Sequence, residues 1–231
     1  MRYPLLLILM MMTLPAFAQN VVVENFVSEK CGVVPDSEKN LQSITNAQDD
    51  VLILTCHLDE SLGVSEEIAK ACQTRKFQYL NRWFYPDAGS PTIIIDGAHK
   101  TRGLYEKIVS SGVNMARAEY DLSQINMRIS DGIIIAELPE SHIDSMAELW
   151  VVAYDYSRSS IISVPAEPDE NHVYDENGDH TQTPVPLENI DTNVEFMNVV
   201  KAMKRLDSWS GRAETIRIPV NNFEADEFAI I

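Results

Sequence analysis

The chain has 231 residues, of which 45% are hydrophobic and 23% charged, and its formal charge at pH 7 is −17. That length suits one large unit or two small ones with a sizeable core. So acidic a chain offers no electrostatic case for nucleic acid or anionic lipid, and three cysteines are too few for a disulfide-rich miniprotein.

Residues 1–18 read as a secretory signal. Arg2 supplies the positive start. Leu5 to Met12 is apolar throughout but too short to span a bilayer. Ala16-Phe17-Ala18 then offers an A-x-A cleavage site before Gln19. The remainder is expected to be exported, periplasmic or secreted, with no membrane span. In an oxidising compartment three cysteines favour one pair with one left over.

Residues 20–27 read as a strand and 36–48 as a helix that Asp36 or Ser37 can cap. Val51 to Cys56 is a compact apolar run, the mark of a buried strand. Residues 65–83 are helical, opening on Ser65-Glu66-Glu67. Pro91 to Ile95 is a strand, Asp96-Gly97 a hairpin turn, and His99 to Arg102 the returning strand. Residues 104–118 form a further helix.

From about Tyr120 the pattern changes. Ile125 to Ile129 alternates, Ser130-Asp131-Gly132 turns, and Ile133 to Leu138 follows. Glu148–Tyr154, Ser160–Val164, Ala213–Val220 and Phe228–Ile231 are further strands. Val194, Met197, Val200, Met203 and Leu206 recur at roughly helical spacing, which predicts an amphipathic helix over 193–206. The expected architecture is an α/β unit over 19–119 and a mainly β unit with one helix over 120–231.

Residues 165–186 form an acidic, proline-rich, polar segment, with a hairpin signal at Asn177-Gly178. Asp175, Asn177 and Asp179 have the alternate spacing of a calcium loop. His180 stands where that loop needs glycine, and Pro186 where it needs an acid, so a solvated acidic turn is the better reading. His172 and His180 alone make no metal site. No metal-ligand spacing or cofactor-binding pattern is expected.

Several stretches in order resemble an exported bacterial thioredoxin-like family, known as domain of unknown function 1223. They are Val22-Val23-Glu24-Asn25-Phe26-Val27-Ser28 with Cys31 and Pro35, then His57-Leu58-Asp59, then Arg75 and Tyr79. Ser90-Pro91-Thr92-Ile93-Ile94-Ile95-Asp96-Gly97, Leu187-Glu188-Asn189 and Asn198-Val199-Val200 complete the set. The resemblance implies a thioredoxin-like N-terminal domain and a β-rich C-terminal part, and no particular activity. Such a fold carries a Cys-x-x-Cys after its first strand; here Val34 stands at the second place.

On that resemblance Cys31 precedes a helix, where free N–H groups favour an anionic sulfur. Pro91 is then the proline facing the thiol, typically through a cis peptide bond. His57 is a candidate proton carrier for Cys31, and a Cys31–His57–Asp59 set would make a nucleophile. Cys56 closes a strand and Cys72 lies early in the next helix, a placement that suits a disulfide; a Cys31–Cys56 pair is the alternative. The expected function is a degenerate redox domain serving as a binding or scaffolding module in the cell envelope. The alternative is a monothiol exchange enzyme using Cys31, its partner a protein or peptide thiol.

Overall fold

A computed structural model describes residues 21–84, 89–119, 125–143, 146–165, 189–220 and 223–231. The signal-like residues 1–18 and nearly all of the acidic insertion, with His172, Asn177 and His180, lie outside these. The elements in chain order are β1 (Val21–Val27), α1 (Val34–Ala47), β2 (Val51–His57), α2 (Glu66–Arg82), β3 (Thr92–Ile95), β4 (His99–Thr101) and α3 (Glu106–Glu119). They continue as β5 (Asn126–Ser130), β6 (Ile133–Leu138), β7 (Ala147–Pro165), β8 (Asn189–Trp209), β9 (Glu214–Pro219) and β10 (Glu227–Ile230).

The expected fold class is overturned. One mixed sheet runs β10-β7-β8-β2-β1-β3-β4, so strands from both halves of the chain share a single hydrogen-bonded layer. This is not a thioredoxin-like α/β domain followed by a mainly β one. The first half has no sheet of its own: β2, which would be its outer strand, pairs with β1 on one side and with β8 on the other. β5, β6 and β9 form a separate three-stranded sheet.

The second correction explains the first. Residues 193–206 are not a helix but the body of β8, paired antiparallel with β7 along nearly its whole length. Val194 and Phe196 are buried in strand alternation. Asn198 then takes a positive φ of 47°, and Val199 and Val200 follow, both buried. The ladder to β7 then skips Lys201, a bulge between Val200 and Ala202 that shifts the alternation, so a period of two acquires steps of three that imitate a helix. The Asn198 amide donates to the Ile53 carbonyl of β2 at 2.7 Å, tying β8 to the first half where the regular ladder is short. The two strands read at Glu148–Tyr154 and Ser160–Val164 are one continuous β7.

Alternation decides the layers. Val21, Val23 and Ile53 point to one face, packed with Leu41 and Ile44 of α1 and Val109 and Val113 of α3. Phe26, Leu54 and Cys56 point to the other, packed with Cys72 of α2 and Val152 and Val200 of the long hairpin. Ile134, Ala136 and Ile218 of the small sheet close a further core on Val151. α1 starts at Val34 without a side-chain cap, so Asp36 and Ser37 lie inside the helix; Pro35 in its first turn has no N–H to satisfy. α2 starts as read, with Ser65 Oγ accepting from the Ile68 N–H. Gly103, at φ 70°, is needed where a Cβ would meet Ile93 at 2.3 Å.

Candidate functional site

Cys31 sits in the turn between β1 and α1, half-buried and free. Its N–H donates to the Ser28 carbonyl at 3.1 Å, and its own carbonyl accepts from the Val34 N–H at 3.1 Å. Its thiol donates to the Ser90 carbonyl at 2.9 Å. The Ser90–Pro91 peptide bond is cis. Ser90 gathers more: its carbonyl also accepts from Arg102 at 3.0 Å, and its hydroxyl accepts from the Ser28 N–H at 2.7 Å. Two loops distant in sequence are thus stitched side by side, with the Cys31 thiol on the carbonyl of the residue before Pro91.

Val34, at the place of a second thiol, is buried against Phe196 and Val199. Cys56 and Cys72 are bonded to each other, with Cα atoms 5.6 Å apart. Their side chains lie among the residues of the α2 face, and the Cys31–Cys56 alternative is not formed. Closing a loop of this length stabilises a fold by about 3 kcal/mol.

His57 does not serve Cys31. It ends β2 with no solvent exposure and its ring stands edge-on to Phe196, centroids 4.7 Å apart. Its Nδ1 is 2.8 Å from Ser61 Oγ and 3.7 Å from Glu29 Oε1, and its Nε2 is buried without a hydrogen-bond partner. Burial lowers its pKa, against the pull of Glu29 and Asp59, which favours the neutral ring. Asp59 Oδ2 accepts from Ser28 Oγ at 2.8 Å. The Cys31–His57–Asp59 nucleophilic set is therefore not assembled: each member is committed to a serine.

Sequence reasoning missed these serines, although Ser28 and Ser90 both lie inside the motifs quoted above. It also missed Glu29, whose carboxylate accepts from Ser160 Oγ of β7 at 2.9 Å. Next to the Cys31 turn, Glu29, Lys30, Leu58, Asp59, Lys70 and Ile161 border an open cleft of about 690 Å³. Its charge is mixed, and Lys70 is already paired with Glu66 at 2.7 Å.

Arg75 and Tyr79 are structural. Arg75 bonds both oxygens of Glu24, donates to Tyr79 Oη at 2.9 Å, and lies 4.9 Å from the centre of the Trp150 ring. Tyr79 in turn donates to Glu24. Burial opposes the Arg75 charge, but Glu24 more than offsets it and holds the guanidinium above its usual pKa. Burial and then Glu24 push the Tyr79 phenol up.

Beneath the other face lies a polar group that no motif signalled. Glu38 of α1 is buried and its Oε1 accepts from Asn25 Nδ2 of β1 at 2.5 Å. Burial raises its pKa to about 8, against the lowering effect of that bond. The available signal was its position: Glu38 stands between Val34 and Leu41 on the apolar stripe of the helix.

Among the described residues no cluster of three or more His, Cys, Asp or Glu could hold a metal ion. Among them, too, no helix is long and apolar enough to cross a membrane.

The fold has solved counterparts. A crystal structure of protein AGR_C_4864 from Agrobacterium tumefaciens aligns with a TM-score of 0.64 at 15% identity, over 88% of this chain and 79% of that one. HBP35 of Porphyromonas gingivalis aligns with a TM-score of 0.51 at 13% identity, over 93% of this chain and 68% of that one. Identities this low carry the fold alone. No curated protein matches the sequence. Residues 22–177 match the model of a family described as protein of unknown function, DUF1223, and the chain belongs to that family.

Proposed function

We propose that the protein is an exported, non-enzymatic binding or scaffolding module of the bacterial cell envelope. Its contact surface is the Cys31–Pro91 edge with the adjoining cleft. One observation carries this reading: Cys56 and Cys72 are joined to each other, so Cys31 has no thiol in its own chain with which to cycle. The thiol proton is engaged by Ser90, and His57 faces Ser61 rather than the sulfur. What remains at that edge is shape: a turn, a cis proline and an open cleft. The disulfide and the signal-like residues 1–18 support export.

The second reading is a monothiol enzyme, favoured by the free and half-buried state of Cys31. In that reaction the Cys31 thiolate attacks a partner's disulfide, forms a mixed disulfide and expels one thiolate. An external thiol must then release it. Wild type and Cys31→Ser are compared for the envelope proteins each retains without reductant. A binding module keeps the same partners in both. Loss of every partner from Cys31→Ser, together with release from wild type by reductant, would replace this reading with the monothiol one.

A further inference from the structure

Two apolar clusters hold α1 to the sheet, with a polar gap between them. Val34, in its first turn, packs with Phe196 and Val199. Leu41 and Ile44 pack with Val21, Val23 and Ile53. Ser37 and Glu38 lie between, on the same buried stripe. There the helix meets β1 through the bond from Asn25 Nδ2 to Glu38 Oε1. The N-terminus of α1 is its weak end, because Val33 supplies no side-chain cap. The Val34 N–H bonds the Cys31 carbonyl at 3.1 Å, so whatever lifts the first turn carries the Cys31 turn with it.

The surroundings of Glu38 are ill suited to a charge. Asn25 and Glu38 are buried, and Glu38 Oε2 has no partner. Thr55, opposite Asn25 in the β1–β2 ladder, is also buried with its hydroxyl unpartnered. The charged groups on the elements packed against α1 are engaged elsewhere. Glu24 of β1 holds Arg75, His57 of β2 faces Ser61, and Arg117 of α3 holds Asp50. On β8, Lys201 donates to the Gly63 carbonyl and Glu195 is exposed, as are Asp36 and Lys39 of α1 itself. A Glu38 carboxylate would find neutral donors in Asn25 and Thr55 but no counter-charge among the described residues.

We propose that Glu38 is a proton latch on the Cys31 edge. Protonated, it lies against Asn25 and keeps the first turn of α1 and the Cys31 turn seated. Ionised, it gives its proton to water and moves toward solvent, and those turns lift. The direction in pH follows from linkage. The seated form holds the proton up to about pH 8, whereas a solvated carboxyl releases it near 4.5. Lifting is therefore insensitive to pH below 4.5, rises toward pH 8 by at most about tenfold per unit, and levels off above it. The consequence, a contact edge that is closed in acid and freed toward neutral pH, rests on the reading of that edge given above. The motion itself does not.

The test is hydrogen exchange read by NMR on the full chain at about pH 5 and pH 7.5, corrected for intrinsic rates. Opening constants at the Val34, Ser37 and Glu38 amides are expected to rise by about tenfold or more between the two, while those at Val23 and Ile53 do not. Glu38→Gln should abolish the rise, and Glu38→Leu, which cannot titrate either, replaces it if the glutamine variant fails to fold. His57 titrates in the opposite sense and is present in every variant, so the comparison isolates Glu38. A rise retained in Glu38→Gln, or no rise at the α1 amides, would overturn the proposal. So would an equal rise at Val23 and Ile53, which would mean that only global unfolding releases the proton. These readouts need no partner, so an intact latch without partner binding would fault the contact-edge reading alone.

Discussion

Asn25 and Glu38 meet in the core, the amide of one 2.5 Å from the carboxyl of the other, with neither side chain reaching solvent. Their remaining oxygens, Asn25 Oδ1 and Glu38 Oε2, have no partner, and neither does Thr55 Oγ1, whose residue pairs with Asn25 across β1 and β2. The two carbonyl-type oxygens can only accept while Glu38 is ionised, and the Thr55 hydroxyl is the one donor among the three. A protonated Glu38 adds a second donor to the group, consistent with burial raising its pKa to about 8.

This sets a pH dependence. The folded state holds the Glu38 proton up to about pH 8, whereas the unfolded chain releases it near the ordinary value of 4.5. Stability from this residue is full below pH 4.5 and is lost progressively as pH rises to about 8. Glu38→Gln keeps the acceptor for Asn25 and adds a donor. It should raise stability at pH 8 by roughly 2 kcal/mol and have little effect at pH 4.5. Urea melts at the two pH values measure it. Equal or lower stability of Glu38→Gln at pH 8 would show that the carboxyl is not held neutral.

His57 acts at the other end of the range. Burial depresses its pKa, so the folded state resists the proton that the unfolded chain accepts near 6.5. Its contribution is present above pH 6.5 and is lost as pH falls below that value toward the folded pKa. NMR titration of the His57 ring should show the neutral form persisting below pH 6.5. A normal or raised midpoint would mean that Glu29 outweighs burial.

Arg75 is the group whose removal should do most damage. Its loss leaves the Glu24 carboxylate buried without its cation, and the Tyr79 hydroxyl without one of its partners. Arg75→Ala is expected to cost about 3–5 kcal/mol. Arg75→Lys should rescue only part of it, because an ammonium cannot form the two-pronged bond to Glu24. Equilibrium unfolding decides this, and full rescue by lysine would show that charge alone matters.

Asn198 joins the two halves of the chain. Asn198→Ala loses the 2.7 Å bond to Ile53 and places a Cβ residue without asparagine's local hydrogen bonding at φ 47°. The expected cost is about 2 kcal/mol. Asn198→Gly relieves the backbone and loses only the bond, so it should cost less. If glycine proves worse than alanine in thermal melts, the positive φ is not what constrains this position.

Most of this fold was legible as elements. The β1–α1–β2–α2–β3–β4–α3 series follows from apolar runs, Ser65 as a cap and Asp96-Gly97 as a turn, because those signals are local. The pairing of Cys56 with Cys72 followed from a strand end and the helix after it. β8 was misread because its bulge at Lys201 hides a period of two, and a bulge is set by what the strand must pair with.

The sequence by itself determined the identity of each short element, the acidic character and the solitary place of Cys31 beside Val34. Only the tertiary structure decided that β8 completes the sheet begun by β1 and β2, since strand partners far apart in sequence leave no local mark. Only it turned His57 toward Ser61, buried Glu38 against Asn25 and joined Cys31 to Ser90. Side-chain direction depends on which face a residue occupies, and faces exist once strands have paired.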